Sequence, residues 1–128
     1  MASRRPSAHE RADAASKPER WSVDAGGSDV AQLDIPAHAT RQRVFEIDCR
    51  LVVMHRDAGP ASHALRVLVD GAQEWSRRVP THNGAHDSLD FHLRRRVAVG
   101  RPLRITAMAE SEGATRVSLS ISAEEDAG

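Results

Sequence analysis

Apolar side chains return at every second position in run after run of this chain. In Phe45, Ile47, Cys49, Leu51 and Val53 they alternate with Glu46, Asp48 and Arg50, and a half-buried strand puts two such sets on opposite faces. The same reading holds for Leu65, Val67 and Val69, for Leu89, Phe91 and Leu93, for Leu103 and Ile105, and for Val117, Leu119 and Ile121. Strands are expected near 21–24, 30–35, 43–55, 63–70, 73–79, 88–99, 102–109 and 115–122. No stretch has the length and period of a confident amphipathic helix. Eight short strands with one apolar face each must bury those faces against one another. The expected fold is therefore all-β, an antiparallel two-sheet β-sandwich of jelly-roll type, with a closed barrel as the second solution.

The turn residues order the strands. Asp70-Gly71 between LRVLV and the run holding Trp75 is a two-residue hairpin signal, because both residues tolerate positive φ. Strands four and five are expected to pair. Gly100-Arg101-Pro102 and Glu112-Gly113 are too short for a parallel crossover, which predicts that strands six, seven and eight form a meander. The longer links HRDAGPAS and PTHNGAHDS are loops.

Residues 1 to 20 carry charge and proline with hardly a large apolar side chain, too little to offset the entropy of ordering. They are expected to be a disordered tail, so that removing residues 1 to 19 costs no core side chain, with Trp21 pinning the tail to the domain. The sandwich is expected over 21–123 and an acidic frayed tail over 124–128. With 18 basic and 18 acidic residues the chain has no net field to concentrate nucleic acid. Of its bases 17 are arginine and Lys17 is the one lysine, the imprint of a GC-rich, bacterial coding sequence. A single cysteine, Cys49, excludes an intrachain disulfide, and the first twenty residues lack a secretory apolar stretch. A cytoplasmic address follows, and no run is long enough to insert in a bilayer as a helix.

The stretch LRVLVDGAQEW, with VGRPLRITA after it, resembles the hairpin and following strand of galactose-binding-like jelly rolls, including some carbohydrate-binding modules. It covers about half the chain. The resemblance implies a β-sandwich and, through Trp75, a sugar-stacking surface. The ending TRVSLSISAEEDAG lacks the aspartate- and tryptophan-rich closing segment of such modules, so the resemblance speaks for the fold more than for sugar binding.

Chemistry concentrates in a few places. THNGAHDSLDFH sets His82, His86, Asp87, Asp90 and His92 within eleven positions, imidazole and carboxylate together being suited to zinc or another divalent ion. His82, His86 and Asp87 are the metal candidates, weighed against a solvated loop, and no other cofactor is implied. Cys49 shares its face with apolar neighbours and is expected to be an inert core thiol. No catalytic signature occurs, and no catalytic residue is assigned. Arg94, Arg96 and Arg104 would meet across a short turn if strands six and seven paired, forming an anion site. Trp75 is either core, opposite Leu65 and Val67, or an exposed stacking surface. The shortage of aromatic side chains argues against single-strand nucleic-acid binding. The first functional expectation is a non-catalytic module that binds a protein partner or itself through a strand edge or sheet face. Carbohydrate binding through Trp75 and a metal site at His82, His86 and Asp87 are the alternatives.

Overall fold

A computed structural model describes residues 17–56, 58–82 and 86–127. The expected tail as far as residue 16, and the Asn83-Gly84 turn, lie outside the described residues. Eight strands run in chain order: β1 (Arg20–Asp24), β2 (Val30–Ile35), β3 (Arg43–Met54), β4 (Ser62–Val69), β5 (Ala72–Pro80), β6 (His86–Val97), β7 (Leu103–Glu112) and β8 (Thr115–Glu125). They form two four-stranded sheets, sheet I in the order β1-β8-β3-β6 and sheet II in the order β2-β7-β4-β5. The order has a simple origin. β1 pairs with β8, β2 with β7, β3 with β6 and β4 with β5, all antiparallel, so the chain is one long hairpin rolled up until β3 also meets β8 and β4 meets β7. That is a jelly-roll sandwich.

The tip of the hairpin is Asp70-Gly71, with φ of 50° and 86°, as a type I′ turn requires. The roll corrects one expectation. β6, β7 and β8 are not a meander: β6 and β8 lie in sheet I and β7 in sheet II, with neither short turn joining adjacent strands. A short connection excludes a parallel crossover but allows the chain to arch from one sheet to the other, and here both do. At the β7–β8 turn Gly113 (φ 71°) lets the backbone approach Pro60, whose carbonyl oxygen would stand 2.5 Å from any added Cβ.

The inward positions of both sheets make one core. Phe45, Ile47, Cys49, Leu51 and Val53 of β3 are fully buried against Leu65, Val67 and Ile105 of sheet II, each large apolar side chain contributing about 1.5–3 kcal/mol. Val117 departs from its expected place. The β3–β8 register slips between Val52 and Val53, where Ser118 and Arg116 are the successive partners, so Val117 is the extra residue of a bulge and is 46% exposed.

At one end of the sandwich lies a buried ion cluster. Arg43, 2% exposed, donates from Nη1 to Glu19 (2.8 Å) and from Nη2 to the Pro36 carbonyl (2.8 Å), with its guanidinium over the Phe45 ring. Glu19 also accepts from Arg41 (2.9 Å) and the Trp21 indole (3.0 Å), and Arg41 reaches Glu125 (2.7 Å). The Glu125 amide donates to the Glu19 carbonyl (2.8 Å). Glu19 therefore belongs to the folded structure, and β8 runs through Glu124 and Glu125, into the segment whose composition reads as a tail. No helix is long and apolar enough to cross a membrane among the described residues.

Candidate binding surface

Each sheet turns one face inward and the other to solvent, and the two outer faces differ. On sheet I the outward side chains of the central rows are matched charges. Arg94 pairs with Glu46 and with Asp126 (2.7 Å), Arg20 with Glu124 (3.1 Å) and Arg50 with Asp90 (3.7 Å). His92 lies between two carboxylates, Nδ1 at 2.8 Å from Asp48 and Nε2 at 2.7 Å from Glu46. Only the imidazolium can donate on both sides, and these bonds to Asp48 and Glu46 raise its pKa.

The outer face of sheet II is built otherwise. Its register aligns Val30 of β2 with Met108 of β7, Met108 with Arg66 of β4, and Arg66 with Ser76 of β5. One row thus crosses all four strands. The next row aligns Gln32, Thr106, Leu68 and Gln73. Val30 is 43% exposed, while Met108, Leu68 and Ala64 are half-buried although they lie on the solvent side. Beside Leu68 runs an open groove of about 470 Å³, lined by Val30, Ala64, Arg66, Ser76, Met108 and Glu110, among others.

Among the described residues, the carboxylates around this groove are all engaged by arginines, and one arginine is not engaged in return. Glu110 is held by Arg78, which also stands 3.9 Å from Glu112; Asp29 is held by Arg116 (3.0 Å) and Asp34 by Arg104 (2.7 Å). Arg66, exposed and lining the groove, has no carboxylate partner among the described residues, while Arg77 pairs in register with buried Leu65 and so belongs to the opposite phase of β5.

The residues singled out in the sequence are scattered. Trp75 is half-buried because β5 carries a bulge that leaves Glu74 unpaired in register and sets Trp75 opposite Val67. Its ring stacks on Phe91 of β6, centroids 4.5 Å apart and planes 8° apart. The bulged Glu74 reaches Arg95 (2.6 Å), so an aromatic pair and an ion pair close the flank between edge strands β5 and β6. Phe91, expected in the core, is only half-buried at that flank.

Arg94 and Arg104 stand in opposite sheets, each engaged by carboxylates. The expected meeting of Arg94 or Arg96 with Arg104 fails with the meander. His82 and His86 are exposed. Asp87 accepts from the His82 amide (3.2 Å) and the Ser88 amide (2.9 Å); burial pushes its pKa up, but these amides and the neighbouring histidines bring it below the ordinary value. Among the described residues no group of three or more His, Cys, Asp or Glu side chains is arranged to hold a metal ion.

His63, which the sequence did not single out, is the fully buried member of this corner, Nδ1 lying 2.6 Å from Thr81 Oγ1. Burial is the main cause that lowers its pKa. Cys49 is buried with its thiol pushed up to about 12, by desolvation first and the Asp48 charge second.

The sheet II face was the feature missed in the sequence, and a signal for it existed. Val30, Leu68 and Met108 are apolar residues on the polar phase of three alternating runs, and three such exceptions fall on one face only when β2, β7 and β4 are neighbours.

No family model matches the sequence, and no curated protein matches it. Among solved structures, latent PorU from Porphyromonas gingivalis is similar over 83% of this chain and 11% of its own, with 13% identity and a TM-score of 0.46. The VP2 subviral particle of infectious bursal disease virus is similar over 88% of this chain and 33% of its own, with 15% identity and a TM-score of 0.43. The chain spans 11% and 33% of the length of these two proteins.

Proposed function

We propose that this chain is a non-catalytic β-sandwich module that binds another protein through the outer face of sheet II. The carrying observation is where the apolar residues fall on the two solvent faces: Val30, Ala64, Leu68 and Met108 form an apolar strip on one, while the central rows of the other are taken up by ion pairs and its apolar Val44, Val52, Met54 and Val117 lie toward the ends of β3 and β8. A half-apolar surface rimmed by polar residues and centred on an arginine has the composition of an interface core. Two of the four edge strands are blunted: β5 carries a bulge and closes on Pro80, and β6 is dense in charge, both devices that hinder edge-to-edge pairing. The face of sheet II is taken as the docking element.

The test begins with affinity capture using the wild-type chain, followed by identification of the partner and reconstitution of the pair from purified proteins. Met108→Glu places a charge in the middle of the strip without touching the core. Loss of the reconstituted complex at an unchanged melting temperature is expected. A complex that survives Met108→Glu at wild-type affinity would refute the assignment of this face.

A further inference from the structure

We infer that the groove on sheet II receives an acidic, extended segment of its protein partner, seating a carboxylate on Arg66 beside an apolar side chain on Val30 and Met108. The inference rests on the docking role proposed for this face and adds the chemistry of what docks. Its ground is charge complementarity. Glu110, Asp29 and Asp34, the carboxylates nearest the groove, are each held by an arginine of this chain. Arg66 is the outward-facing arginine of this groove without a carboxylate partner among the described residues, and it gives the groove a local positive potential that a ligand carboxylate would meet.

Position sharpens the case. Arg66 stands between Met108 and Ser76 in the central row of the sheet, where an arginine fork can accept a carboxylate over an apolar floor. Arginine in a central, partly desolvated place is the residue type most often found to dominate an interface.

Two other occupants fit less well. The chain's own acidic end is committed elsewhere, Glu124 to Arg20, Glu125 to Arg41 and Asp126 to Arg94, so a second copy has no free carboxylate cluster there to offer. A nucleic-acid strand would supply phosphates, but the groove lining holds no aromatic side chain on which bases would stack.

The probes are three fluorescein-labelled ligands titrated into the full chain and followed by anisotropy: a short peptide alternating glutamate and leucine, the same peptide with lysine for glutamate, and a single-stranded thymidine oligonucleotide. The glutamate peptide is expected to bind, the other two not. Raising the salt should weaken it, since exposed charges are screened. Arg66→Glu should weaken it by at least about tenfold, the scale for losing a hydrogen bond to a charged group. Arg101→Glu, on the β6–β7 arch outside the groove, should leave binding unchanged at equal melting temperature.

Absence of binding by the glutamate peptide, equal binding by the lysine peptide, preference for the oligonucleotide, or indifference to Arg66→Glu would each overturn the inference. The natural partner separates the two levels of failure. If its binding is lost in Met108→Glu but kept in Arg66→Glu, the face stands and the acidic chemistry falls. If neither variant affects it, both fall.

Discussion

The cluster around Arg43 and the ladder running through Asp48, His92, Glu46 and Arg94 are made of the same kinds of side chain. The cluster sits under the β2–β3 connection with the Arg43 side chain 1% exposed and that of Glu125 7% exposed; the ladder lies on an open sheet face with the side chains of Arg94 and His92 more than half exposed. Coulomb attraction between two charges is several times stronger where water is excluded, and so is the cost of leaving either one alone. The difference teaches that burial, not the count of ion pairs, decides which charges hold this fold. By the same standard Arg66, in the middle of the sheet II face, is a cation that serves neither arrangement.

The largest effect should follow from removing the hub of the cluster. Glu19→Ala leaves Arg43 charged and buried with only the Pro36 carbonyl, and the expected loss is about 3–5 kcal/mol, the scale for breaking a buried pair by deleting one partner. Urea unfolding of the variant would measure it. The chain terminus offers a finer cut: removing residues 1 to 18 should leave stability unchanged, while removing residue 19 as well should cost at least as much as Glu19→Ala, since the backbone bonds of Glu19 to Glu125 go with it. The composition of the first twenty residues pointed to a harmless deletion as far as 19, because it weighed apolar side chains and not one glutamate. A loss below about 1 kcal/mol for both changes would erase the distinction between cluster and ladder.

Burial should rank aromatic contacts as it ranks ionic ones. Phe91→Ala, which opens the stack on Trp75 at the flank, is expected to cost about 2 kcal/mol, against about 3–5 kcal/mol for the enclosed Phe45→Ala. Equal losses would mean that the β5–β6 flank is as closed as the middle of the sandwich.

How far the sequence reaches is visible in these same residues. All eight strands follow from period two and turn chemistry, since both are local: Phe45 to Val53 name their own inward face, and Asp70-Gly71 names its own hairpin. Partner choice is not local. Nothing within LRRRVAVGRPLRITA says whether its turn stays in one sheet or arches to the other, and that choice decides whether Arg94 meets Arg104 or Glu46. Bulges are equally silent, and one of them carries Val117 out to solvent while another brings Glu74 to Arg95. The groove on sheet II was written in three exceptions to the alternation, but it takes the sheet order to add them together.

The pH dependence of stability should separate cluster from ladder by sign. At Glu19 burial pushes the carboxyl up, but the Trp21 indole, Arg43 and Arg41 outweigh it and leave the pKa below its ordinary 4.5. The stability it contributes is thus present above that value and is lost as pH falls through the lowered one. At His92 the bonds to Asp48 and Glu46 raise the pKa above 6.5, so its contribution is complete below 6.5 and is lost as pH rises through the raised value. Because this side chain is more than half exposed, the second effect should stay well under about 1 kcal/mol. His92→Gln is expected to flatten the stability profile just above pH 6.5; a profile unchanged there would show that the bonds of His92 to Asp48 and Glu46 add nothing to the fold.

The smallest expected effect on stability belongs to the residue on which the functional argument leans. Arg66 is exposed on a sheet face without a carboxylate partner among the described residues, so Arg66→Glu should shift the unfolding free energy by no more than about 0.5 kcal/mol, as for an ordinary surface change. A side chain that contributes to neither cluster nor ladder is free to serve an interface, because whatever it binds owes nothing to the fold. Thermal unfolding without ligand is the direct measurement. A destabilisation comparable with that of Glu19→Ala would show that Arg66 is compensated within the chain, and the positive potential assigned to the groove would vanish with it. Near-neutral stability, taken with loss of the glutamate peptide, would place Arg66 with the function and the Arg43 cluster with the fold.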